Sequence, residues 1–159
     1  MDNKGLQLSR FLGDLEQSRA FAEYIIHRKW RDRGPKSKLI HLAFNTSLIV
    51  SYCRPFTVHK NAEGLKVWPT QLTQHIIGVL TPNEIELHDA LINCRHTTYA
   101  HSDASAHLIP GFPYGGPSIQ LTKDPFYYLL TKSETTMLQG IIVKWIKHLR
   151  KEKSKLTGR

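Results

Sequence analysis

Cysteine is scarce in this chain: Cys53 and Cys94 are the only two in 159 residues. Both stand inside apolar segments, so a disulfide framework is excluded and two buried free thiols in a reducing compartment are expected. No stretch reaches the roughly 18 consecutive apolar residues that a membrane span requires, which predicts no transmembrane helix and no membrane partner. The opening MDNKGLQLSRFLGDLEQSR carries charge early and lacks an apolar core, unlike a signal peptide, and a cytoplasmic location is the expectation. Sustained period-two alternation is missing, and Ser118–Thr122 is the best strand candidate. There is also no glycine-rich phosphate loop, Cys-x-x-Cys pair or serine elbow, which removes the usual marks of nucleotide, zinc-ribbon and α/β-hydrolase chemistry. Acids are few as well: 13 Asp and Glu face 22 Lys and Arg, for a net charge of +9 with the nine histidines neutral.

What is present points to one helical domain. A chain of this length buries roughly 68–70% of its unfolded surface and needs no staple. Hydrophobic residues make up 40% and charged ones 22%, a globular composition. Residues 6–31 read as a long helix with Leu8, Leu12, Leu15, Ala22, Ile25 and Ile26 near one face, broken by Gly34-Pro35. A second helix is predicted over 36–53, burying Leu39, Ile40, Ala43, Phe44, Leu48 and Ile49 and ended by Arg54-Pro55. Residues 55–68 read as a loop, and 69–79 as a short helix starting at Pro69. Thr81-Pro82-Asn83-Glu84 combines a capping box with proline at the first helical position, and starts a helix running towards residue 100 through Ile85, Leu87, Ala90, Leu91 and Cys94.

A long irregular segment follows at about 102–130, rich in proline and glycine yet carrying Phe112, Tyr114, Phe126, Tyr127 and Tyr128, so it should pack on the body. Thr131 and Glu134 offer a second capping box. From there Met137, Leu138, Ile141, Ile142, Trp145, Ile146 and Leu149 trace a helical face to about 152. The expected fold is therefore all-α: a compact bundle of four to five main helices with a long irregular loop before the last. It forms a single domain over 1–152 and a basic, frayed tail over 153–159.

The charge is clustered. Arg28, Lys29, Arg31, Arg33, Lys36 and Lys38 meet one acid, Asp32. Lys144, Lys147, Arg150, Lys151, Lys153, Lys155 and Arg159 meet only Glu152. Such faces suit a polyanion, through release of condensed counterions, and RNA is the expected partner. Arg28, Lys29, Arg31, Arg33, Lys147, Arg150 and Lys151 are the candidate RNA-binding residues.

Polar chemistry gathers where the helix after Thr81 stops: Arg95-His96-Thr97-Thr98-Tyr99-Ala100-His101-Ser102-Asp103. An arginine fork holds phosphate oxygens and offsets charge growing on them. A histidine, titrating near neutrality, moves protons to and from attacking and leaving oxygens. RNA carries its own 2′-hydroxyl nucleophile, so the pair requires no metal or other cofactor. On an unbroken helix Arg95 and His101 would point about 120° apart, so they converge only if the helix ends between them or a second chain supplies one.

Arginine, a polar residue, then histidine after five intervening positions, with Ala100-His101-Ser102-Asp103 at its end, resembles the HEPN ribonuclease superfamily. The resemblance implies a helical bundle that dimerises with two motifs facing each other. It also implies metal-independent RNA cleavage by Arg95 and His101, supported by His96, Tyr99, Ser102 and Asp103. A toxin or defence component with a neutralising partner protein fits the same resemblance. Toxins of this type that carry His-x-Tyr are controlled by tyrosine modification; here Asp103 stands in that place. Two alternatives use the same residues differently. A non-catalytic helical module would bind RNA or a partner protein through the basic faces. An HD-type metal phosphohydrolase would use His88-Asp89 with His75 or His59 and Asp103 or Asp124.

Overall fold

The computed structural model describes residues 3–28, 35–57, 59–60, 66–67, 78–95 and 129–156. Four helices carry nearly all of them: α1 (Asn3–His27), α2 (Pro35–Cys53), α3 (Pro82–Cys94) and α4 (Lys132–Leu156). A 3₁₀ turn, Arg54–Phe56, follows α2, and a two-residue antiparallel pair joins His59–Lys60 to Lys66–Val67 with His59 opposite Val67. The protein is an all-α bundle. None of its described helices is long and apolar enough to cross a membrane. The proposed helix at 69–79 and irregular segment at 102–130 lie almost wholly outside the described residues.

Both capping boxes form. At α3 the Thr81 N–H donates to Glu84 Oε2 at 2.7 Å, and the Glu84 N–H donates to Thr81 Oγ1 at 3.4 Å. At α4 the Thr131 N–H donates to Glu134 Oε2 at 2.7 Å and the Glu134 N–H to Thr131 Oγ1 at 3.1 Å. Each box satisfies two backbone donors that a helix start leaves orphaned. α4 runs past the expected end at 152 to Leu156, so Lys153 and Lys155 lie on helix rather than in a frayed tail. Local bonds hold this last turn: Ser154 Oγ donates to the Lys151 carbonyl at 2.8 Å, and Lys155 pairs with Glu152 at 2.6 Å.

The core draws on every helix. α1 contributes Leu8, Phe11, Leu15, Ala22 and Ile25; α4 contributes Leu138, Ile141, Ile142, Trp145, Ile146 and Leu149. α2 departs from expectation. Leu48 and Ile49 are buried, but Leu39 is 68% exposed, Ile40 42%, and Ala43 is exposed too. The reason is helical phase. The buried stripe is Asn45, Leu48, Ile49, Tyr52 and Cys53, spaced by threes and fours. Extended backwards, that stripe runs through Leu42 and His41, both half-buried, and leaves Leu39, Ile40 and Ala43 on the outer side.

Asn45 is a polar side chain in the middle of this stripe, with no exposed surface. Its Oδ1 accepts the backbone N–H of Leu130 at 3.1 Å, tying the approach to α4 onto α2. On α1 and α2, Phe44 stacks on Tyr24 at 4.3 Å and meets Phe21 edge-on at 5.8 Å.

Two stability predictions follow from this packing. Asn45→Ala strands the Leu130 N–H in the core and should cost about 1–3 kcal/mol in urea unfolding. Gly140 lies mid-helix on α4, exposed, with open space where a Cβ would stand. Gly140→Ala should therefore raise stability by about 0.5–1 kcal/mol, read as a higher urea midpoint at unchanged slope.

Candidate functional site

α3 is short, and Leu87 and Leu91 are its buried residues; Ile85 and Ile92 pack partly buried on the core, and His88, Cys94 and Arg95 are half-buried. At 100° per residue, Arg95 lies within about 20° of His88 and about 10.5 Å further along the axis. Arg95 is the C-terminal cap of α3 with helical dihedrals, and its N–H still donates to the Leu91 and Ile92 carbonyls. A cation there is favoured by the negative end of the helix dipole.

The C-terminal turn of α2 faces this line. The Tyr52 hydroxyl lies 2.6 Å from His88 Nδ1, and Cys53 Sγ lies 3.5 Å from the Leu91 carbonyl. Burial raises the Tyr52 phenol well above its ordinary range. The phenol therefore keeps its proton in its hydrogen bond with His88 Nδ1. Burial also lowers the His88 pKa, against an opposing pull from Asp89, which favours the neutral imidazole. Phe56 and Trp145 complete an aromatic cluster around the pair: Phe56 is 4.8 Å from both the His88 and the Trp145 ring.

Cys53 and Cys94 are free thiols, Cys53 buried and Cys94 half-buried. Burial pushes the Cys53 thiol up to about 12, although the Arg95 guanidinium pulls the other way. The thiol is therefore neutral near pH 7. Arg95 makes no ion pair among the described residues. At the other end of α3, Glu84 is ion-paired with Lys144 at 2.7 Å. Partial burial opposes ionisation of its carboxyl, but hydrogen bonds from Lys144 and Thr81 prevail and hold it below its usual range.

Of the motif, Arg95 is thus described; His96, Tyr99, His101, Ser102 and Asp103 lie outside the described residues, as do Lys29, Arg31 and Arg33. The basic surface divides in two. Arg150 is held by Glu16 at 2.6 Å, and Lys144 and Lys155 are likewise paired with acids. Lys147 and Lys151, one turn apart and both exposed on α4, make no ion pair among the described residues. Arg28 instead sits over the Tyr24 ring, 5.2 Å from its centroid. It is twelve residues along α1 from Glu16, about 18 Å of helix axis. Asp14, beside Glu16 on α1, holds Arg54, which directly follows Cys53. Arg28 is therefore separated along α1 from the Lys147–Lys151 face, which lies near Glu16.

His88 Nδ1 is engaged by Tyr52, and neighbouring Asp89 is exposed. Among the described residues no group of three His, Cys, Asp or Glu could hold a metal ion. Sequence reasoning did not find the Tyr52–His88 pair, since residues 36 positions apart leave no periodic signal. No protein-family model, curated protein or solved structure matches the chain.

The His88 environment makes stability pH-dependent in a defined sense. The unfolded chain takes up a proton on this residue below about 6.5, while the folded chain resists it. The contribution is therefore complete above pH 6.5 and is lost progressively as pH falls towards the lower folded value. The urea midpoint should drop between about pH 7.5 and 5.5, and His88→Asn, which cannot titrate, should drop less.

Proposed function

We propose that this chain is a metal-independent endoribonuclease of HEPN type, cleaving RNA through attack by the 2′-hydroxyl. The observation that carries the reading is Arg95. A half-buried guanidinium ends the inward face of α3, has no carboxylate partner among the described residues, and stands beside a neutral thiol. A cation held at such a position suits an external anion, and a phosphodiester matches both its charge and its fork geometry. The sequence supplies the complementary group, His101, six residues on.

In the proposed reaction His101 takes the 2′-hydroxyl proton, the 2′-oxygen attacks phosphorus, and the bond from phosphorus to the 5′-oxygen breaks. The products are a 2′,3′-cyclic phosphate and a 5′-hydroxyl. Arg95 holds the non-bridging oxygens as their charge grows, an effect strongest when the donor is already oriented. His96, Tyr99, Ser102 and Asp103 support the pair. Lys147, Lys151 and, partly offset by Glu16, Arg150 form one RNA contact; Arg28, Lys29, Arg31 and Arg33 form a second, separate one. A homodimer would bring two motifs to one cleft, using the same patch on both chains. A cytoplasmic toxin or defence role with a neutralising partner is the biological setting this chemistry suits.

Incubation of the purified chain with total RNA in excess chelator tests the reading. Cleavage leaving 2′,3′-cyclic ends is expected, and His101→Ala should lower its rate by about 10²–10⁴-fold. Equal cleavage by the two proteins would discard it, and binding without any cleavage would favour the non-catalytic RNA-binding module.

A further inference from the structure

α3 buries Leu87 and Leu91 and packs the partly buried Ile85 and Ile92 on the core, where α4 buries six apolar side chains together with Thr135. Apolar contact is non-directional, so the roll of the helix is set chiefly by its directional contacts. At the N-terminal end these include the Thr81–Glu84 box and the Lys144–Glu84 pair. On the half that leads to Arg95 they include two from adjacent residues of α2: the Tyr52 hydroxyl is hydrogen-bonded to His88 Nδ1, and Cys53 Sγ donates to the Leu91 carbonyl. That same carbonyl accepts the Arg95 N–H.

The geometry points to Tyr52 and His88 as positioning residues: their hydrogen bond sets the roll of α3 and so aims the Arg95 guanidinium. The inference rests on the ribonuclease reading for what Arg95 does, though not for how it is held. His88 and Arg95 lie within about 20° of one another around α3, so rotation that strains the Tyr52 bond swings Arg95 in the same sense. A roll of about 10° moves a group about 6 Å from the helix axis by about 1 Å. Misplacement of a catalytic group on that scale costs about 10²-fold in rate. Tyr52 has no exposed surface and touches no substrate. Its hydroxyl therefore acts through α3.

The test uses the full chain in four forms: wild type, Tyr52→Phe, His88→Phe and His88→Asn. Tyr52→Phe and His88→Phe keep a ring in the cluster but remove one partner of the hydrogen bond. His88→Asn keeps a hydrogen-bonding group, its side-chain amide, near the place of Nδ1. The Arg95 side-chain Nε–H resonance, assigned through its loss in Arg95→Lys, reports the guanidinium's surroundings without any RNA. It should shift in Tyr52→Phe and His88→Phe and return towards the wild-type position in His88→Asn. With RNA, kcat should fall about 10- to 100-fold in the first two variants with KM changing less than threefold, and recover in His88→Asn. An Arg95 resonance unmoved by Tyr52→Phe overturns the inference, as does an unchanged kcat where wild type cleaves in a His101-dependent way. If wild type cuts no RNA, the ribonuclease reading falls, and the resonance alone still decides whether Tyr52 and His88 hold Arg95.

Discussion

The rings of Tyr52, Phe56, His88 and Trp145 meet where α2, α3 and α4 come together, and the arrangement of those helices depends on that meeting. Trp145 is 2% exposed and Tyr52 fully buried, so the cluster is closed to water on the side of α4. A fully buried phenol in such a place needs a hydrogen-bond partner, because an unpaired buried polar group costs more than a hydrogen bond returns, and the half-buried His88 supplies one. That bond also carries direction that stacked rings alone lack.

The helices and their starts were legible because capping chemistry is local: Thr81 with Glu84, and Thr131 with Glu134, need only residues three apart. α4 was legible throughout, since its apolar positions keep one phase from Leu138 to Leu149. α2 was not. Leu39, Ile40 and Ala43 are apolar and helically spaced, but they follow a different phase from the stripe that Asn45, Leu48, Ile49, Tyr52 and Cys53 present to the core. A polar Asn45 inside the true stripe and apolar residues outside it hid the phase from a count of hydrophobicity. The candidate site divided similarly. Arg95 was readable as a polar residue at the end of a capped apolar helix, described from Pro82 to Cys94. The partner of His88 was not readable, because Tyr52 stands 36 positions away and a single long-range hydrogen bond leaves no periodic signal.

Charge shows the same difference between composition and arrangement. A net +9 suggests a broadly basic surface, yet Glu16, Glu84 and Glu152 each hold a cation of the C-terminal cluster. Exposed pairs of this kind add little stability, because solvent screens them and ordering long side chains opposes them. Their effect on the surface potential is more consequential. They concentrate the uncompensated charge of α4 on Lys147 and Lys151, apart from Arg28 along α1.

The thiols beside Arg95 complete the electrostatic logic of the α3 C-terminus. A guanidinium within reach of a cysteine would ordinarily draw out its proton, and the resulting thiolate would neutralise the cation in place. Burial of Cys53 works against this and prevails, holding the thiol near 12 despite Arg95. The contact that buries it, Sγ against the Leu91 carbonyl, gives the S–H an acceptor and so favours the protonated form further. The helix terminus attracts the Arg95 cation, and the thiol that its field reaches stays protonated, so the two groups do not neutralise one another.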